Sequence, residues 1–303
     1  MTACSGAGDE PENPDVFECV INVSEGRDGG VIARLSSAAG GCLLDLHSDP
    51  DHHRSVLTIG GPADEVERAA RRVATEAVAS LDLTRHHGAH PRFGVLDVVP
   101  FVHLVASGAH GGSELADGPL EPALAARNRF AAWAAEALKL PCFVYGPERS
   151  LPEVRRLAWA SLLPDTGPGS PHPTAGAAAV GARPALVAYN LWLSGGDLAA
   201  ARAVAATIRG PHLRTLGLQV GAAVQVSCNL IAPWTVGPAD VFDAVAGRVA
   251  VARAELVGLI PRGVLHAAPS RRWGELGLDP SMTIEARLEQ AGLDGGRFGR
   301  AGR

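Results

Sequence analysis

Apolar and polar positions follow one pattern along the first third of the chain. Residues 17–22 (FECVIN) form a short apolar run that ends in the polar loop 24–27 (SEGR), as a strand entering a turn does. Residues 31–39 continue at helical spacing, and Gly40 and Gly41 stop them. Residues 42–46 and 55–59 read as strands on either side of the polar run 47–54 (HSDPDHHR). Behind Pro62, which a first helical turn tolerates, Val66, Ala69, Ala70, Val73 and Val78 recur close to a 3.6-residue period and predict a helix over 63–81. A strand at 95–101 completes the order βαββαβ.

The pattern returns in the second half. Residues 186–193, 198–208, 214–220, 224–230, 238–251 and 255–260 read as strand, helix, strand, strand, helix, strand. A βαββαβ order is that of the ferredoxin-like unit, an antiparallel sheet with both helices on one face. The expectation is therefore an α+β fold of two tandem ferredoxin-like subdomains with a ligand cleft between them. The expected division is a disordered tail at 1–15, rich in Gly, Pro and acid, then subdomains at 16–183 and 184–303. Between the repeats lie a helix at 122–138, a strand at 142–145 and a helix at 151–159. A short helix at 284–291 and a loose tail at 294–303 follow. Residues 164–181 (PDTGPGSPHPTAGAAAVG) show no period, so they read as a linker or a backbone-lined binding loop and not as a core element.

Composition narrows the classes. At 303 residues the chain is long enough for two cores. A net charge of −5 and the lack of a basic run give no reason to expect nucleic acid. No apolar run approaches the ~20 residues of a membrane span, and no signal-peptide pattern opens the chain. The 5 cysteines are scattered and odd in number, without a CxxC, which fits a reducing compartment and a cytoplasmic location.

The candidate chemistry sits in residues 84–101 (TRHHGAHPRFGVLDVVPF), where a polar loop runs into an apolar strand. Titratable groups on a loop fixed by a buried strand are a usual catalytic arrangement. His90 is the leading candidate base. Pro91 biases it towards an extended backbone, and Arg92, two positions on, would then share its face. A base and a cation together suit an anionic substrate that must lose a proton. His47, Asp49, Asp51, His52, His53, His86, His87 and His90 would also suit zinc in kind, although no fixed-spacing metal signature supports that reading.

Taken together, FECVINVSEGR, LLDLHSDPDHHRSVLTIGG, RHHGAHPRFGVLDVVPF, DTGPGSPHPTAGAAAVGAR and the later YNLWL, VSCNL and ELVGLIP segments resemble the formiminotransferase family. The resemblance covers about residues 17–292; the HPR motif and the Gly/Pro loop ending in GAR are its specific parts. It implies transfer of a formimidoyl group from N-formimidoyl-L-glutamate to N5 of tetrahydrofolate. His90 would be general base and acid, with Arg92 and Asp49 beside it. The folate loop would be Gly167, Pro168, Gly169, Ser170, Pro171, His172, Pro173, Thr174, Ala175 and Gly176, with Arg183 following. Asn22, Ser24 and Arg54 would contact substrate. The family further implies a homodimer. Because a cyclodeaminase domain follows in many relatives and this chain stops short of one, a separate cyclodeaminase is the implied partner. The chain departs from the family pattern at Ala89 for Glu, His47 for Asp and His53 for Asn, and in the folate loop, where Pro173, Thr174 and Ala175 stand in place of an aromatic. These departures leave a formyl donor, another acceptor and a silent folate binder open beside the main reading.

Overall fold

The computed structural model describes residues 16–87, 92–107 and 114–294. The tail at 1–15, His90 with its neighbours Ala89 and Pro91, and residues 295–303 of the C-terminal tail lie outside the described residues. The first unit runs β1 (Val16–Val23), α1 (Gly29–Ala39), β2 (Leu43–Asp49), β3 (Arg54–Pro62), α2 (Ala63–Ser80) and β4 (Leu96–Ser107). Its strands lie in the order β2-β3-β1-β4, every pairing antiparallel. The second unit runs β8 (Val187–Leu193), α5 (Leu198–Ile208), β9 (Leu213–Val220), β10 (Ala223–Leu230), α6 (Pro238–Ala246) and β11 (Val251–Val257). Its order, β11-β8-β10-β9, is the same topology read from the opposite edge. Two tandem ferredoxin-like units make up an α+β fold.

The period-2 alternation of each strand decides its faces. Phe17, Cys19, Ile21 and Val23 of β1 pack with Leu57 and Ile59 of β3 under the apolar stripes of α1 and α2. Val187, Tyr189, Leu191 and Leu193 of β8 do the same beneath α5 and α6. Helix ends are capped as the sequence allows. The Asp28 carboxylate accepts from the Gly30 and Val31 N–H groups at the start of α1.

Between the units come β5 (Glu114–Asp117), α3 (Leu120–Ala137), β6 (Cys142–Tyr145), α4 (Leu151–Leu157) and β7 (Ala178–Ala182). Strand β7 corrects the reading of residues 164–181. Ala178 to Ala182 form a fully buried strand, parallel to β4 on one side and to β6 on the other. A parallel strand covered on both faces needs no polar–apolar alternation, and one built of Ala, Val and Gly carries no bulky marker either. Residue size matters there nonetheless: a Cβ on Gly181 would lie 2.1 Å from Cζ of Tyr145, whose buried ring covers it.

Other boundaries shift by a few residues. Helix α6 stops at Ala246, its last turn closed by the Gly247 N–H on the Asp243 carbonyl. That frees Val251 to pair with Leu193 in β11. The helices α7 (Arg262–Ala267) and α8 (Ile284–Ala291) then carry the chain back to the first sheet. Ile284 and Leu288 pack on Val16, Leu44, Val102 and Leu104. Carboxylates pin this junction. Glu285, buried, accepts from the Leu115 and Arg262 N–H groups at 2.8 Å each. Asp117 accepts from the Ala185 N–H at 2.6 Å and from the Trp234 indole at 3.0 Å.

Gly181→Ala should therefore lower stability by about 1–3 kcal/mol, the usual range for overpacking a core. A urea titration comparing the two proteins reads this as a lower midpoint at unchanged slope.

Candidate functional site

The site is assembled where β1 ends and β4 begins. Pairing between them slips at Asn22/Val23, so Val23 faces Leu96 while Asn22 faces Val98. The extra residue is Asp97. Leu96 and Val99 remain in the helix-covered core, whereas Val98 joins the cluster beneath α4. Asp97 follows it: its Oδ1 accepts from the Phe93 N–H at 2.6 Å and its Oδ2 from Arg155 of α4 at 2.5 Å.

Beyond the slip, Ser24 ties the strands a second time. Its N–H donates to the Val95 carbonyl and its hydroxyl to the Gly94 carbonyl, both at 2.8 Å. The next residues lie against the β2–β3 hairpin. Ser55 Oγ donates to the Glu25 carbonyl at 2.5 Å, and a Cβ on Gly26 would fall 2.3 Å from the Asp49 carbonyl oxygen. Only glycine fits so close an approach.

This approach aims the Gly26 N–H at Nδ1 of His53, 3.1 Å away. Accepting that bond leaves the neutral His53 ring with its proton on Nε2. His53 holds a left-handed backbone, φ 52°, a region in which His and Asn are over-represented among non-glycine residues. Its ring lies against that of His86, with centroids 4.0 Å apart and planes tilted by 32°. His86 Nε2 donates to the His53 carbonyl at 3.1 Å, and its Nδ1 accepts from Arg92 at 2.5 Å. The second Arg92 nitrogen reaches the His52 carbonyl at 3.4 Å. Ser24, Glu25, Asp28, His53, Asp82 and His86 line part of a cavity of about 300 Å³ on this side.

Environment sets the charge states. Burial, joined by the nearby Arg92 and by His53, holds His86 below the usual histidine range. Burial likewise lowers His53, opposed by Glu25 and helped by Arg27 and Arg92. Burial alone would raise Asp49, but N–H bonds from His52 and Asp51 and the His52 ring at 2.5 Å bring its carboxyl below the ordinary range. Two neutral imidazoles thus lie near the Glu25 carboxylate, while that of Asp49 holds the His52 ring.

The Gly/Pro segment meets this loop from the other side. His172 and Gly176 bond each other through both backbone pairs, and the His172 ring accepts from the Ala175 N–H at 3.0 Å. The Ala175 carbonyl takes the Val95 N–H, and the Thr174 carbonyl takes that of Leu83. Gly176, at φ 71°, has no room for a Cβ beside Leu83 and the Phe93 carbonyl. Gly167 to Pro171 and Pro173 stay exposed.

The family can now be assigned. The description "Formiminotransferase domain, N-terminal subdomain" matches residues 16–183. The glutamate formimidoyltransferase of Streptococcus pyogenes is 31% identical over 284 residues, 82% of this chain and 90% of that protein. The Thermoplasma acidophilum protein of the same name is 29% identical over 309 residues, 91% of this chain and 98% of that one. The formimidoyltransferase-cyclodeaminase of Sus scrofa is 34% identical over 195 residues, 58% of this chain and 34% of its own length. The chain belongs to the formiminotransferase family. It is a transferase.

Within this formiminotransferase the residues singled out from sequence fall into two groups. Ser24, Asp49, Arg54, Arg92 and the turn His172 to Gly176 converge on the β1–β4 slip. Asn22 is half-buried on the face of the sheet turned away from α1 and α2, its amide donating to the Val20 carbonyl. Arg183 stands apart, seven residues beyond Gly176 on an extended strand, so roughly 23 Å along it. There Arg183 donates to the Pro184 carbonyl and faces buried Glu18. Burial lifts the Glu18 carboxyl to about 7, opposed by Arg183 and reinforced by Asp117 and Glu285. Sequence reading missed Asp97 and Arg155. Asp97 sits inside an apolar strand, and Arg155 lies on a short charged helix, LPEVRRL, where one more cation does not stand out.

The lowered imidazoles have a pH consequence. At pH values just below ~6.5 the unfolded chain binds protons at His53 and His86 that the folded chain refuses, so stability rises with pH there. Glu18, lifted to about 7, contributes with the opposite sign, so the histidine share is read as a difference between variants as pH drops through ~6.5. The variant His86→Asn should weaken that acid dependence relative to the wild type.

Proposed function

We propose that this protein transfers the formimidoyl group of N-formimidoyl-L-glutamate to N5 of tetrahydrofolate, with His90 as general base and then acid. The supporting observation is how firmly both flanks of position 90 are held. On one side Leu83 is bonded to Thr174 and His86 to His53; on the other Arg92 is bonded to His86 and His52. Both flanks abut the turn that the family resemblance assigns to folate.

The chemistry asks for one mobile proton. N5 attacks the amidine carbon, and a new C–N bond forms as the N5 proton leaves. The bond to the glutamate nitrogen then breaks, and that nitrogen must gain a proton to depart as an amine. One imidazole of ordinary pKa, near ~6.5, can take the first proton and return it at the second step. Arg54 and Asn22 lie on the open sheet face, where a glutamyl group could reach them, and Ser24 anchors the loop beneath. The exposed glycines and prolines from Gly167 to Pro173 offer backbone to a flat pterin. We read residues 16–183 and 184–303 as the two subdomains flanking this cleft.

The test is release of glutamate from N-formimidoyl-L-glutamate, with N-formyl-L-glutamate run in parallel. Release should require tetrahydrofolate and should favour the formimidoyl donor. His90→Ala should reduce kcat by about 10² to 10⁴, the usual share of a positioned proton shuttle. Glutamate release that ignores folate, or that survives His90→Ala intact, contradicts the reading.

A further inference from the structure

The helix layer over the first sheet holds a cavity that the site described above does not use. It measures about 340 Å³ and opens between α2 and α3. Ala63, Asp64, Glu67, Arg68 and Arg71 of α2 line it together with Arg129 of α3. Ser80, which borders the cavity beside His53 and His86, lies nine residues beyond Arg71 on α2. The two openings are therefore separated by roughly 13 Å of helix.

Half of the lining is arginine, and the carboxylates beside it do not saturate the three cations. Glu67 is buried, and both its oxygens accept from Arg129, Oε2 from Nε at 3.1 Å and Oε1 from Nη2. Asp64 is held by Nη1 of Arg68 at 2.7 Å, in a pair whose side chains are 70% and 59% exposed. An ion pair that open to water contributes little. Arg71 is left over. It donates no hydrogen bond among the described residues, and its ion pair with Glu67 Oε2 is stretched to 3.8 Å. Its Cζ lies 5.4 Å from the centroid of the Trp133 ring, which steadies the guanidinium against α3. Arg68 and Arg71 stand three apart on the helix, where like charges repel. Three guanidinium groups around one opening, with a single buried carboxylate among them, suit a multiply charged oxyanion. A phosphate dianion brings two charges and three free oxygens to such forks, more than one carboxylate can.

We propose that the α2–α3 cavity binds a phosphate group, held by Arg71 and Arg129 with Arg68 at the rim. The site is independent of the formimidoyl reaction and uses none of the residues around position 90. The phosphate is either the free ion or the phosphate of a small ester.

Calorimetric titration of the full chain with inorganic phosphate at low ionic strength should saturate at one equivalent. Arg71→Gln should weaken binding about 10-fold or more, as loss of a charge-assisted hydrogen bond does. Arg71→Lys keeps the charge without the fork and should lose less. Glu67→Gln removes the competing carboxylate, so phosphate should bind more tightly even though the link between the helices is weakened. Should Glu67→Gln unfold, the two Arg71 variants still decide. Ribose 5-phosphate, titrated in parallel, separates the sources: tighter binding than the free ion assigns the cavity to a phosphate ester, equal or weaker binding to the ion itself. A network that only staples α2 to α3 predicts lower thermal midpoints in the variants and no saturable heat from either ligand. That result overturns the proposal, as does phosphate binding that Arg71→Gln leaves unchanged.

Discussion

Ser24 joins the end of β1 to the beginning of β4 through both its backbone and its hydroxyl, directly after the pairing of those strands slips by one residue. Everything distinctive about the site depends on that double tie. It closes the sheet at the point where regular pairing fails, holds Gly26 against the β2–β3 hairpin, and turns Asp97 out of the helix-covered core. Without the slip, Asp97 would point into an apolar layer where an unpaired carboxylate is not tolerated.

From that tie the polar groups fall into a chain of fixed donors and acceptors. The Gly26 N–H sets the tautomer of His53, the His53 carbonyl sets that of His86, and Arg92 occupies the remaining His86 nitrogen. Each bond leaves the next ring fewer ways to sit, so the loop leading to position 90 is braced by side chains as well as by backbone. Burial keeps both rings neutral, so the local positive charge is carried by arginines. Arg92 acts as a brace for an imidazole, bonding His86 Nδ1 and the His52 carbonyl.

The two ferredoxin-like units are joined by polar contacts more specific than apolar packing alone would provide. Glu285 and Asp117 each accept from groups distant in sequence, and α8 lays its apolar side on the first sheet. Buried carboxylates that accept from backbone N–H groups fix orientation, because losing either partner leaves an unsatisfied group. Strand β7 adds rigidity from within, carrying the end of the Gly/Pro segment through the middle of the sheet before Arg183 emerges.

How much of this could be read from the residues varies from place to place. Both βαββαβ repeats were legible because a half-buried strand must alternate and a half-buried helix must repeat near 3.6 residues, whatever its neighbours. The HHGAHPR and Gly/Pro motifs stood out because they gather titratable and permissive residues in one stretch. Strand β7 was not legible, since a strand buried on both faces and built of Ala, Val and Gly looks like a linker until its two parallel neighbours are known. The roles of Asp97, Arg155 and Arg92 were not either, because each depends on a partner between 6 and 58 residues away. Periodicity is a property of a chain and one surface, so the sequence alone determined the elements and their order. Pairing between charged groups is a property of two surfaces, so only the tertiary structure decided that Arg92 serves an imidazole and Arg155 the carboxylate of Asp97.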